Sequence, residues 1–365
     1  MTMGTASTMA TLSEVLGLSL PGNGAVPAAD SRRTQLAHQS GSRIVQLVEE
    51  DLKPSRLLTP LSFENAVRTL HSVGGSTNAI IHLIAIAQRK GLDLPLESFD
   101  RLSESTPVLL NLKPSGQFLM EDFAYAGGGS ALFKELAPLL HLDEMTITGQ
   151  TLGQNIAAAR NDNPEVVRPL DRPLEDSGGL AVLTGSLAPG GAIVKRSAAS
   201  RALLRHRGRA LVFSDHEDLL RRIDDPQLEV EPEDILVMQG GGPLGGPGMP
   251  EWGLLPIPKK LLRKGVRDMV RISDARMSGT AQGTVIVHVS PEAAAKGPLG
   301  AVRTGDFIEL DVDQRRLDLM VEPREVQRRL GKSAPRRAHF ARGYRRLYVE
   351  HVLQADRGCD FDFLI

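Results

Sequence analysis

Two stretches of this chain hold residues whose types and spacing can do chemistry. The first is Ser273-Asp-Ala-Arg-Met-Ser-Gly-Thr280, where Ser278 stands between Met277 and Gly279. A tight turn there can project the hydroxyl into a cleft. A hydrolase of the G-x-S-x-G type needs glycine two positions before the serine, and Arg276 occupies that place. Composition alone favours a turn serine bonded to its own backbone. The second stretch is Gly240-Gly-Gly-Pro-Leu-Gly-Gly-Pro-Gly248, followed by Pro250, Glu251 and the only tryptophan, Trp252. It contains G-x-G-x-x-G after an apolar run, but Pro243, Pro247 and Pro250 bar the helix that a dinucleotide site requires. An ordinary surface turn also fits poorly. A rigid loop that brings backbone close to a ligand fits better, and Glu251 at its exit suits a hard cation such as Mg2+, against the plain alternative of a solvated glutamate. His288, inside Val-Ile-Val-His-Val, reads as a satisfied strand histidine. Asn78 and His82 share a helix face at i, i+4 and can meet one ligand, although a capping asparagine and a packed histidine are the plainer reading.

These residues need elements to position them. Met1–Ala10 is a run of small residues leading into a helical stretch, 11–18. Helical spacing also marks 32–52 (through Leu36, Ile44, Val45 and Val48), 61–72 and the very apolar 79–89. Pro107-Val-Leu-Leu-Asn-Leu112, apolar between turn signals, reads as a buried parallel strand. The polar stretch Asn161–Pro173 sets a domain boundary, giving domains 1–163 and 164–365. Beyond it six short β-prone runs (180–184, 192–195, 210–213, 234–238, 283–289 and 307–312) are punctuated by glycine and proline, which suggests a small barrel or sandwich. Residues 324–346 carry nine Lys/Arg against one Glu and read as a solvated or subunit-facing surface rather than a nucleic-acid site.

Composition narrows the function classes. The 365 residues balance 43 Lys+Arg against 44 Asp+Glu, which argues against a strongly basic nucleic-acid binder and against disorder. Aromatics make up 4%, too few for a stacking platform, and Gly (36) and Pro (23) are plentiful, as many backbone-lined turns require. One cysteine, Cys359, excludes an internal disulfide framework and points to a reducing cytoplasm. No basic residue precedes Arg32, against a signal or transit peptide, and no run reaches the roughly 18 apolar residues of a membrane span.

Seven segments, in order, resemble the iron–sulfur dihydroxy-acid and sugar-acid dehydratases. They are Gly4-Thr-Ala-Ser-Thr-Met9, Gly74-Gly-Ser-Thr-Asn78, Lys113-Pro-Ser-Gly116, Met120-Glu-Asp-Phe123, Gly245-Gly-Pro-Gly-Met249, Ser273-Asp-Ala-Arg-Met-Ser-Gly279 and His288-Val-Ser-Pro-Glu292. The ending, with Gly343-Tyr344, Leu347-Tyr-Val-Glu-His-Val-Leu-Gln354 and Gly358-Cys-Asp-Phe-Asp-Phe363, is similar to the pentonate (arabinonate or xylonate) branch.

The resemblance implies a hydro-lyase that converts a 2,3-dihydroxy sugar acid into a 2-keto-3-deoxy acid. Its alternatives are a branched-chain dihydroxy-acid dehydratase, an inactive remnant, or a partner subunit. It implies Mg2+ on the substrate carboxylate and 2-hydroxyl, and an iron–sulfur cluster (2Fe–2S or 4Fe–4S) acting as Lewis acid on the 3-hydroxyl. Glu251 becomes a Mg2+ ligand and Ser278, as alkoxide, the base. Thr280 becomes a hydrogen-bond partner of substrate or base. Arg276 either faces the substrate carboxylate or sits in a structural ion pair. The implied fold is α/β, the latter part of a parallel-sheet N-terminal domain followed by a β-barrel-like domain, with the site between them and a homo-oligomer as the assembly. The family's cluster cysteines, an Asp and a carbamylated lysine are expected upstream of Met1, so the chain looks like the family's final two-thirds.

Overall fold

A computed structural model describes residues 1–332 and 340–365, so residues 333–339 of the basic stretch lie outside the described residues. The chain divides into two compact units. One comprises Met1–Ala79, Ile86–Leu94 and Ser98–Leu180; the other comprises Ile80–Ala85, Pro95–Glu97 and Ala181–Ile365.

The first unit is helical. Its longer described helices include Thr5–Val15, Ser31–Glu49, Pro60–Ser72 and Asn78–Arg89, the last shared with the second unit. Thr59 starts the third of these with a reciprocal cap: its hydroxyl accepts from the Ser62 N–H and the Ser62 hydroxyl accepts from the Thr59 N–H, both at 3.0 Å. Pro60, at the first helical position, gives up an N–H that would have no partner there. Phe63, Val67 and Leu70 then bury the inner face. The small-residue motifs pack on each other: the Thr5 hydroxyl lies 2.8 Å from that of Ser76, and the Ser76 N–H donates to the Thr8 hydroxyl. A Cβ on Gly75 would sit 2.8 Å from Thr8 Cγ2, so only glycine allows this approach.

Two expectations for this half change. Residues 107–112 form no strand; Val108, Leu110 and Leu112 make isolated bridges to Glu175, Val167 and Phe118, and no strand is assigned among residues 1–180. The run is buried as a single irregular segment, a state in which an apolar stretch between turns looks the same as a strand. The helix at 31–49 forms but buries no residue, and Ile44, Val45 and Val48 lie exposed.

In the second unit all six anticipated β runs form strands: β1 (Ala181–Leu183), β2 (Gly191–Val194), β3 (Arg205–Phe213), β4 (Ile235–Met238), β6 (Val285–Ser290) and β7 (Phe307–Asp311). Two more, β5 (Arg271–Ser273) and β8 (Arg316–Leu319), complete one eight-stranded sheet in the order β1-β2-β6-β5-β4-β3-β7-β8. Parallel pairing appears here, along β3–β4–β5–β6, and the remaining pairs are antiparallel. The sheet curls until Thr184, just past β1, accepts from Leu317 N–H at 2.9 Å and donates to the Arg315 carbonyl at 2.9 Å, so the two end strands meet. Leu183, Val194, Ile235, Val237, Ile272, Ile286, Leu310 and Leu317 fill the interior. No described helix is long and apolar enough to cross a membrane.

Candidate active site

Three chain segments of the second unit converge around the sequence motifs: the loop after β4, the segment after β5, and the end of β6. The loop after β4, residues 240–250, is built on two buried carboxylates. Asp274 accepts from the N–H groups of Gly241 (2.8 Å), Gly240 (3.2 Å) and Ala293 (2.9 Å). Glu292 accepts from Leu244 and Gly245 N–H, both at 2.9 Å, and from the Gln354 amide at 2.8 Å. At Gly242 an added Cβ would lie 2.7 Å from a Glu292 carboxylate oxygen, and at Gly245 2.7 Å from the Gly240 carbonyl. The glycines therefore let the loop wrap its own anchors. Burial raises both acids; Asp274 adds to the effect on Glu292, which is pushed up to about 7.

The segment after β5 carries the predicted serine. Ser278 and Thr280 share a hydrogen bond between hydroxyls 2.9 Å apart; Ser278 is half-buried and Thr280 exposed. The Ala281 N–H closes the turn on the Ser278 carbonyl at 3.0 Å. Beside them Lys195, at the end of β2, is fully buried and donates to the Gly279 carbonyl at 3.2 Å. Arg276 donates from Nε to the Met249 carbonyl, and the Gly253 N–H donates to the Arg276 carbonyl at 2.8 Å. The second of these bonds fixes the loop exit, where Glu251 lies exposed, to the serine segment. The structure places Ser278 and Thr280 in one turn, with Arg276 just before it.

The end of β6 departs from the plain reading. The pairing with β2 slips between Gly191 and Ile193, and there His288 takes φ +57. A non-glycine residue at positive φ is uncommon backbone, of the kind that a bulge uses to re-aim a side chain. Its N–H donates to the Ala275 carbonyl at 3.1 Å, yet neither ring nitrogen has a partner among the described residues. Burial, then Arg276 and His82, hold its imidazole neutral, down at about 3. His82 is lowered in the same direction by burial and by Arg276. Asn78, its expected partner on the helix face, instead donates to the Thr5 hydroxyl at 3.0 Å.

Among the described residues no group of three or more His, Cys, Asp or Glu side chains is placed to hold a metal ion. Cys359 packs with Ile81, Met249 and Ala355, and burial raises its thiol so far that it stays protonated.

Asp274, Glu292 and Lys195, buried charged side chains around these segments, were given no role from the sequence. The two acids stood inside quoted motifs with no role assigned, and the only signal for Lys195 was a charged residue ending an all-apolar run.

Known families match both halves. The N-terminal model of the dihydroxy-acid/6-phosphogluconate dehydratases matches residues 1–155, and the C-terminal model matches residues 165–359. The chain is 52% identical over 353 residues to an L-arabinonate dehydratase of Rhizobium leguminosarum bv. trifolii, covering 96% of this chain and 61% of the relative. It is 50% identical to a 6-deoxy-6-sulfo-D-gluconate dehydratase of Pseudomonas putida, over 100% of this chain and 63% of the relative. A dihydroxy-acid dehydratase of Ignicoccus hospitalis is 44% identical over 97% of the chain and 64% of its own length. The chain therefore spans under two-thirds of the length of these relatives.

Proposed function

Because this chain belongs to the dihydroxy-acid/6-phosphogluconate dehydratase family, we propose that it serves a hydro-lyase that converts an aldonic acid, such as a pentonate, into its 2-keto-3-deoxy acid. The relatives named for sugar acids share 50–52% of its residues and the branched-chain type 44%, which favours the aldonic acid. The observation that carries the reading is the paired hydroxyl turn of Ser278 and Thr280, 2.9 Å apart, in a family-matched segment.

In this proposal Ser278, as alkoxide, takes the proton from C2 of the substrate while the C3–O bond breaks and hydroxide leaves; the hydroxide takes up that proton and departs as water, which restores the alkoxide, and the enol tautomerises to the keto acid. Thr280 holds the Ser278 oxygen in line through their shared hydrogen bond. Arg276, with Nε occupied by the Met249 carbonyl, offers its remaining N–H donors to the substrate carboxylate.

The family's cofactors do not fit the described residues by themselves. A cluster takes several thiolates and the chain has a single thiol, Cys359, while Glu251 is one carboxylate outside any three-ligand group among the described residues. Glu251 is proposed to supply one oxygen to Mg2+. The lone cysteine supports a reducing, cytoplasmic setting, and a homo-oligomer is the proposed assembly.

The test is turnover by the protein as its source cells produce it. L-arabinonate, D-xylonate, D-gluconate and 2,3-dihydroxyisovalerate are offered separately, and 2-keto acid is detected with semicarbazide. We expect product from an aldonic acid; product from dihydroxyisovalerate alone would assign the branched-chain reaction instead. In the same assay, Ser278→Ala should lower turnover on the order of 10²–10⁴-fold with little change in KM.

A further inference from the structure

Lys195 is among the largest fully buried side chains of the molecule, 1% exposed at the end of β2, whose four residues are all buried. A buried lysine is ordinarily paired with a carboxylate. Among the described residues its amine has one hydrogen bond, to the Gly279 carbonyl at 3.2 Å, and no ion pair. A methionine or leucine would fill the same apolar space without desolvating a charge, so packing does not account for an amine at this position. What the amine touches does: Gly279 is the peptide between Ser278 and Thr280, whose hydroxyls bond to each other.

We propose that Lys195 is a positioning residue for Ser278: anchored on the Gly279 carbonyl, its amine fixes the 278–280 turn and supplies the positive charge that stabilises a Ser278 alkoxide. The inference rests on reading Ser278 as the base. It answers a need that reading leaves open, because a serine hydroxyl is a poor base unless a neighbouring charge favours its ionised form. β2 pairs with β1 and β6. The ionisable groups on those strands, on the 274–284 segment and next in sequence are His288, Asp274, Arg276 and Arg196. Burial alone lowers it, to about 8. The amine therefore responds strongly to any new charge placed at position 278.

The test uses that response in the purified 365-residue chain, without turnover. Lysine side chains are labelled with 13C and 15N, and the Lys195 signal is assigned by its loss in Lys195→Met, or in Lys195→Arg should the first not fold. We expect the wild-type signal to titrate well below an ordinary lysine. Ser278→Asp, which places an anion where the alkoxide would form, should raise its midpoint by about one unit or more; Ser278→Ala should not. A midpoint unmoved by Ser278→Asp overturns the proposal, as does a signal that titrates like a surface lysine.

A second arm separates this inference from the dehydratase reading. In the protein as its cells make it, Lys195→Met should lower kcat at least 10-fold at nearly constant KM. Full turnover in Ser278→Ala would sink the base assignment whatever Lys195 does. A charge response without loss of kcat in Lys195→Met would sink the positioning role while leaving the base in place.

Discussion

At the scale of the residue, the pairing of Asp274 and Glu292 shows how a structural role can resemble a catalytic one. Two raised acids beside a glycine loop satisfy the usual signature of an acid/base site, yet every named partner is a backbone N–H or an amide of the loop's own support. The consequence is a pH dependence of stability. Glu292 titrates at about 7 in the fold against 4.5 ordinarily, so between those values the native state binds more protons than the unfolded one. Stability from this group is present below about pH 4.5 and is lost as pH rises toward 7, by up to about 3 kcal/mol. Glu14, also raised to about 7 by burial, acts in the same direction. Glu292→Gln should flatten part of this slope and, because its amide faces one of the two N–H donors, lower stability at pH 5 by about 1–2 kcal/mol. Urea midpoints at pH 5 and 8 for both proteins check it; a wild-type midpoint that rises across that interval contradicts it.

The serine turn was legible because Met277-Ser278-Gly279 is a local pattern. His288 was not. Whether a strand histidine finds partners depends on a bulge opposite Gly191 and on groups arriving from residues 82 and 276, which no local window contains.

At the scale of the element, the loop of residues 240–250 gives the sharpest prediction. Gly242→Ala would press a methyl against the Glu292 carboxylate at 2.7 Å, and the neighbouring loop cannot yield without breaking its N–H bonds. It should destabilise by about 1–3 kcal/mol, the range for overpacking a filled site. Gly248→Ala, at φ +89 with open space around it, should cost only about 1 kcal/mol of backbone strain. Thermal midpoints that rank the two the other way would show the loop to be softer than its bonding indicates. Strand content was readable wherever β-branched and aliphatic residues ran between glycines. It failed for β5, three residues containing the buried Arg271, and for β8, whose Arg316 and Asp318 alternate with leucines. Arg271 hides there because Asp268 pairs with it at 2.7 Å, a contact that period and propensity do not encode.

At the scale of the whole molecule, one thiol sets a limit. Clusters are held by several thiolates, and the sequence supplies one cysteine, Cys359. Reconstituting the 365-residue chain with ferrous iron and sulfide should leave no stoichiometric cluster and no absorbance near 400 nm, and Cys359→Ser should behave identically. A brown chain with bound iron would reveal ligands other than this cysteine. The barrel also has a history written into its strand order. Gly191 on β2 pairs with Ser290 on β6, ninety-nine positions later, and the seam at Thr184 closes only on Leu317. On the ribosome, at about 5–20 residues per second, β2 therefore emerges about 5–20 s before its central neighbour exists. For that interval the edge of β2 that later meets β6 has no strand partner, so the yield of folded molecules is expected to rise with added chaperone.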